Sequence, residues 1–360
     1  MRIGLCGDVM LGRGVDQILP HPGDSVLRET SVRDARTYVE LAEAANGPIP
    51  RPVGFGWPWG AARAVMAAAD ARLVNLETGI TRSGAFAPHK SVHYRMSPAN
   101  APALATARPD VCTLANNHVL DFGRPGLEET LDCLDGLGLH AAGAGRDLAE
   151  AHRPAIVPVD HGRVVVFAFG TASSGIDPSW AATADRAGVA FIDTLSAARA
   201  AEINERVRQA RRPGDIVVVS VHWGSNWGYD VPEAQIHFAH ALIDGGVDVV
   251  HGHSSHHPRP LEIYRGKLIL YGCGDFIDDY EGIDTPHPYR DDLRPLYLAS
   301  IDAVTDTPAD LRIIPMQARK MSLQLASRDD TEDLAGLLNE ISAQFGTRIA
   351  PRPDGDLAVS

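Results

Sequence analysis

No apolar run in these 360 residues approaches the roughly 20 needed to cross a bilayer, so the sequence predicts no membrane-spanning helix. Cysteine is scarce. Cys6, Cys112, Cys133 and Cys273 lie far apart, in apolar stretches or between glycines, which argues against a disulfide framework or a zinc knuckle and predicts reduced, packed thiols. Basic residues are in deficit, 33 against 46 acidic ones, and a net charge of −13 sets the overall field against nucleic acid and anionic membranes. No nucleic-acid partner is expected. A secretory leader is not legible either: Met1 leads into RIGLCGD, where glycine and aspartate interrupt the apolar residues, and the reading is a cytoplasmic protein.

The pattern along the chain is that of an α/β protein. Strand-like runs (RIGLCG, ARLVNLE, DVCTLANN, RVVVFAFG, DIVVVSVHW, VDVVHGH and GKLILYGCGDF) alternate with segments of helical spacing such as PGLEETLDCLDGL, SAARAAEINERVRQA and PEAQIHFAHALIDGG. Three late apolar runs, LEIYRG, LYLASIDAV and LRIIPM, lack long helices between them and predict antiparallel strands in a mixed sheet or two sheets. Residues 18–58, rich in proline and glycine, read as an insertion or lid on a single domain spanning 1–325. Residues 326–360 read as a C-terminal helix with a frayed tail.

Polar residues gather where the strands end. Asp8, Glu77, Asn117 with His118, and His222 each close an apolar run, and HGHSSHH at 251–257 places four histidines in seven positions directly after GVDVV. In open α/β sheets such ends converge on one crevice. Carboxylate, amide and imidazole donors together suit a divalent metal: zinc, manganese, iron or nickel by ligand type, with calcium admitted by the oxygen donors. A carboxylate such as Glu77 can bridge two ions. Asp121, three residues after His118, is placed to orient that imidazole for proton transfer.

The segments GDVMLGRGVD, VNLETGIT, LANNHVLDFG, SVHWG and GHSSHHPRPLEIYRGKLILYGCGDFI resemble the successive motifs of the CapA-like poly-gamma-glutamate capsule-synthesis family, a branch of the calcineurin-like metallophosphatase superfamily. The resemblance covers roughly residues 1 to 320. It implies a four-layer α/β/β/α sandwich of two mixed β-sheets flanked by helices. It also implies metal ligation by Asp8, Glu77, Asn117 and His222 and by a final histidine pair, with His118 as the acid/base group. His253 with His256 is the expected pair, since both follow Gly252; His251 with His253 is the alternative. One departure is plain: Met10 stands where the phosphatases carry a histidine, which removes a ligand from one metal position.

Further residues are candidates for substrate contact and proton transfer. Lys90, His93 and Arg95 in APHKSVHYRM suit an anionic substrate group, Trp223 and Trp227 an aromatic wall, and His287 a proline-stiffened loop able to fold over the site. The expected function is a metal-dependent enzyme on a peptide-like or poly-glutamyl substrate, cleaving or transferring an amide. The alternatives are a peptide Cα-epimerase, a phosphoesterase and a noncatalytic capsule-assembly factor. Oligomeric state is left open.

Overall fold

A computed structural model describes residues 1–160, 162–283, 289–301 and 308–359. Two mixed sheets hold most of the strands. The first has ten, ordered Ile349–Pro351, Leu357–Val359, Pro308–Ala318, Leu293–Ile301, Arg2–Val9 (β1), Ala71–Leu76 (β2), Val111–Thr113 (β3) and His140–Ala142; Leu323–Leu325 pairs Pro308–Ala318, and a strand at Asp275–Ile277 pairs β1. The second has seven, in the order Phe191–Ile192, Gly162–Thr171, Ile216–His222 (β4), Val249–His253 (β5), Lys267–Leu270 and Leu261–Tyr264, with Ala155–Val159 beside Gly162–Thr171. Asp275–Ile277 is β6. The predicted strand-like runs all appear, and the late ones are antiparallel as expected: Leu293–Ile301 pairs Pro308–Ala318, and Leu261–Tyr264 pairs Lys267–Leu270.

Alternation along the strands explains the packing. Val164 and Val166 face one way, into a cluster that also takes Ile3, Leu5, Leu73 and Val111 from the first sheet, while Val165 and Phe167 face the other way. The two sheets therefore share one core. The outer face of the second sheet is covered by Ile203 and Val207 of helix Ala197–Ala210 and by Phe238 and Leu242 of helix Glu233–Asp244. The outer face of the first sheet is covered by Leu127, Leu131 and Leu134 of helix Gly123–Leu137, together with Tyr38 and Val39 of helix Arg36–Asn46. Residues 18–58 thus supply core, through Leu27, Tyr38, Val39, Ile49 and Val53. The end of the chain, expected to fray, pairs as two strands, and helix Arg328–Ser342 sends Leu334, Leu338 and Ile341 into the shared core. Among the described residues no helix is long and apolar enough to cross a membrane.

Candidate metal centre

β1, β2 and β3 run parallel in the first sheet and β4 and β5 run parallel in the second, so their C-terminal ends form one rim. On β4, Ser220 and His222 continue the face of Val218, which lies in the shared core. On β5, His251 and His253 continue the face of Val249. Ser220 lies in register with His251, and His222 with His253. Asp8 reaches the same space by an irregularity. Cys6 and Val9 both face the outer cluster, three residues apart, which strict alternation forbids; the register of β1 shifts between them and turns Asp8 inward. Backbone closeness makes this possible. A Cβ on Gly7 would lie 1.6 Å from the Gly274 carbonyl oxygen.

Asp8, His222 and His253 each offer a ligand atom, and these atoms lie within 4.8 Å of one another; all three residues are buried. Asn75 Nδ2 donates to Asp8 Oδ1 at 2.7 Å, and its amide is held that way because Thr113 Oγ1 and Asn116 Nδ2 donate to its oxygen. The Ser254 N–H donates to Asp8 Oδ2 at 3.2 Å from a residue with φ of +108°, a strained conformation held against the donor cluster.

Hydrogen-bond accounting fixes the imidazoles. The Cys6 carbonyl can only accept, so His251 Nε2, 2.8 Å away, carries a hydrogen. Burial pushes the His251 pKa down to about 4, so the ring is neutral and its Nδ1 accepts from Ser220 Oγ at 3.1 Å. Ser220 Oγ then accepts from His253 Nε2 at 2.7 Å, which leaves a lone pair on His253 Nδ1. That nitrogen lies 3.8 Å from Asp8 Oδ1 and 2.7 Å from His222 Nδ1. His222, neutral through burial, donates from Nε2 to Asn117 Oδ1 at 3.0 Å, with Glu77 Oε1 3.8 Å away, which leaves its Nδ1 lone pair turned toward that of His253. Acceptors turned toward one another are the ligand set of a cation. The carboxylates agree: burial, with the Asp275 charge nearby, raises Asp8 to about 7 against a hydrogen bond with Glu77, and burial with the Asp8 charge drives Glu77 upward. The donor set therefore fits a divalent ion.

Beside it lies a cavity of about 240 Å³ lined by Glu77, Lys90, Tyr94, Asn117, His118, Asn226, Ser254, His256 and Tyr280, among others. His118 Nδ1 donates to Asp121 Oδ2 at 2.6 Å, which turns its Nε2 lone pair toward Glu77 Oε1 at 3.8 Å. Burial lowers the His118 pKa to about 4 against the pull of Asp121, so the ring is a neutral proton acceptor. Lys90 Nζ pairs with Asp121 Oδ1 at 2.5 Å and donates to the Asn117 carbonyl. Tyr94 lies against the His118 ring, centroids 4.1 Å apart, and its hydroxyl meets that of Tyr280.

The chain belongs to the PGA_cap family of bacterial capsule synthesis proteins. That family's model matches residues 2–280. The chain is similar to a probable polyglutamine synthesis accessory protein of Mycobacterium tuberculosis, 54% identical over 359 residues, covering 99% of this chain and 94% of the relative. It is also similar to the PGA biosynthesis protein CapA of Bacillus subtilis, 28% identical over 276 residues, 76% of this chain and 62% of that one. The capsule biosynthesis protein CapA of Bacillus anthracis is 24% identical over 276 residues, 76% of this chain and 59% of that one.

Several expected residues stand elsewhere. His256 is not beside His253: its Nδ1 lies 3.0 Å from Asp275 Oδ2. Burial opposes its charge, yet Asp275 raises its pKa. It lines the cavity. Trp223 is buried and donates to the Tyr271 carbonyl, so it builds core rather than a substrate wall. His93 is buried against Phe86 and Phe122, with Nε2 on the Ala87 carbonyl. Trp227 stacks on His257 and Tyr289 next to cavity residue Asn226. Arg95 lines a neighbouring cavity instead. His287 lies outside the described residues. The thioether of Met10 is buried in core. Sequence reasoning passed over Asn75, Ser220 and Asp275, polar residues inside strands whose only signal was polarity within an otherwise apolar run.

Proposed function

We propose that this chain is a divalent-metal-dependent enzyme that cleaves or transfers an amide of a poly-glutamyl or peptide-like substrate, on the four-layer sandwich of the calcineurin-like superfamily. The carrying observation is the convergence of Asp8, His222 and His253 within 4.8 Å, next to a neutral His118 backed by Asp121. Asp8, His222 and His253 would hold the ion, with Glu77 and Asn117 at its edge. When bound, a divalent ion polarises a carbonyl or carboxylate oxygen. His118 Nε2 takes a proton and returns it, Asp121 fixes the ring and its tautomer, and Lys90 keeps positive charge beside them. Two relatives support the substrate class, one named for polyglutamine synthesis and the other for PGA biosynthesis.

One observation favours a second reaction at the same residues. His118 and His256 line a single cavity, the first lowered by burial to a pKa of about 4 and the second raised by Asp275 against its burial. Such a pair suits inversion of a Cα centre. Incubation with poly-γ-glutamate in deuterated water distinguishes the two. Shortened or joined chains that disappear with chelator support amide chemistry, and deuterium at Cα in chains of unchanged length supports inversion. If neither product forms with metal-loaded protein, the enzyme reading fails and an accessory role remains.

A further inference from the structure

A chain of net charge −13 repels any polymer that carries a carboxylate on every residue, so such a substrate needs a local cationic hold. One lies beside the metal centre. The Arg28 guanidinium sits 4.5 Å from the Phe86 ring centroid; Arg95 sits 5.9 Å from the same ring and 4.4 Å from that of Phe122; the two rings are 4.9 Å apart. Arg82 and Arg95 line a cavity of about 330 Å³ with Thr81 and Ser97. Two guanidiniums around two rings, one of them sharing a cavity with Arg82, gather like charge that an anion would relieve.

The local acids do not neutralise the group. Glu129 accepts from Thr81 Oγ1 and from the N–H groups of Arg82 and Ser83, and Asp24 meets Arg95 only at 3.5 Å, with 62% of its side chain exposed. Among the described residues no carboxylate pairs with the guanidinium of Arg28 or Arg82, and both side chains are exposed. The position is also right. Arg95 follows Tyr94, which lies against His118, and Phe122 follows Asp121, which holds His118, so the group lies one residue along the backbone from the contacts of the acid/base histidine. Arg28 comes from the 18–58 insertion, which gives that segment a part in binding.

We propose that Arg28 and Arg95, arrayed on Phe86 and Phe122, form with the neighbouring Arg82 a docking strip for the side-chain carboxylates of a polyglutamyl chain. A guanidinium matches a carboxylate through two parallel N–H donors, and the rings hold it in plane. The proposal rests on the polyglutamyl reading of the neighbouring site. The test is binding of fluorescein-labelled poly-γ-glutamate to the full chain at low salt, followed by anisotropy. R28E/R82E should weaken binding by about a hundredfold, roughly tenfold per lost pair, and flatten its salt dependence. R208E/R328E, with the same charge change far from the strip, should stay within about twofold of wild type. Equal losses in the two double variants, or none in R28E/R82E with an unchanged melting midpoint, overturn the strip. So does labelled single-stranded DNA binding as tightly as the polymer. Turnover separates the two readings: polymer bound but never altered by wild type leaves the strip and removes the enzyme, whereas polymer processed by R28E/R82E at wild-type KM removes the strip and leaves the enzyme.

Discussion

At the scale of single residues, His253 is prepared as a candidate ligand by partners that stand outside the donor set. The Cys6 carbonyl, His251 and Ser220 pass a fixed hydrogen-bond polarity along to His253 and leave Nδ1 with its lone pair beside Asp8. Ser220→Ala is expected to weaken divalent-ion affinity by about 10–100-fold, read by calorimetric titration of the apo chain, with little change in fold. Affinity equal to wild type would show that the tautomer is set otherwise. Asp121→Asn replaces the acceptor of the His118 Nδ1–H and should lower turnover by about 10²–10⁴-fold while metal content stays unchanged. Asp8, Glu77, Asn117, His222 and His253 were legible as strand-end polar groups. Which member of HGHSSHH would join them was not. Alternation decides it, and alternation can be applied only once β5 is known to end at His253, which leaves His256 on a turn that swings it to Asp275.

At the scale of elements, close strand contacts hold the rim together. Gly7 passes against Gly274, and no shift of a flexible side chain can relieve a methyl 1.6 Å from a backbone oxygen. Gly7→Ala should cost about 3 kcal/mol and loosen β6 from β1, measured as a lower denaturation midpoint together with weaker metal binding. Arg294 lies with its guanidinium 3.3 Å from Asp275 and 2.7 Å from Asp278, all three buried. His256 and Arg294 hold Asp275 at about 2 against its burial, while burial, with the Asp275 charge beside it, lifts Asp278 to about 8. Arg294→Met would leave the Asp275 charge to His256 alone, at a cost of about 3 kcal/mol. The strands themselves were readable from β-branched runs and the helices from their spacing. Their partners were not, because Asp8 meets Asn75 and Ser254 across 67 and 246 residues, and no local pattern encodes such a distance. The bulge that aims Asp8 was equally silent.

At the scale of the whole molecule, two sheets sharing one core bring the rims into contact and seal several histidines as neutral rings. His152, His251 and His257 are pushed by burial down to about 4. Unfolded imidazoles take a proton near pH 6.5, so between that value and about pH 4 the unfolded chain binds more protons and stability falls as pH falls. Asp278, held at about 8, acts in the opposite sense over its own range. His257 accepts the Gly228 N–H on Nε2 and donates from Nδ1 to the Pro258 carbonyl, so protonation breaks a bond as well as burying a charge. His257→Gln should lose less of its melting temperature between pH 6.5 and pH 4 than wild type loses; equal losses would remove this histidine from the acid response.

The fold, the tautomers and the raised carboxylates all meet in one claim, that Asp8, His222 and His253 close on a divalent cation. Anomalous diffraction from crystals grown with manganese or zinc, collected on either side of the metal edge, addresses it directly. The expected result is a peak bounded by Asp8, His222 Nδ1 and His253 Nδ1 that vanishes in His253→Ala. An edge-specific peak elsewhere, or none at this position in a metal-loaded crystal, would contradict it.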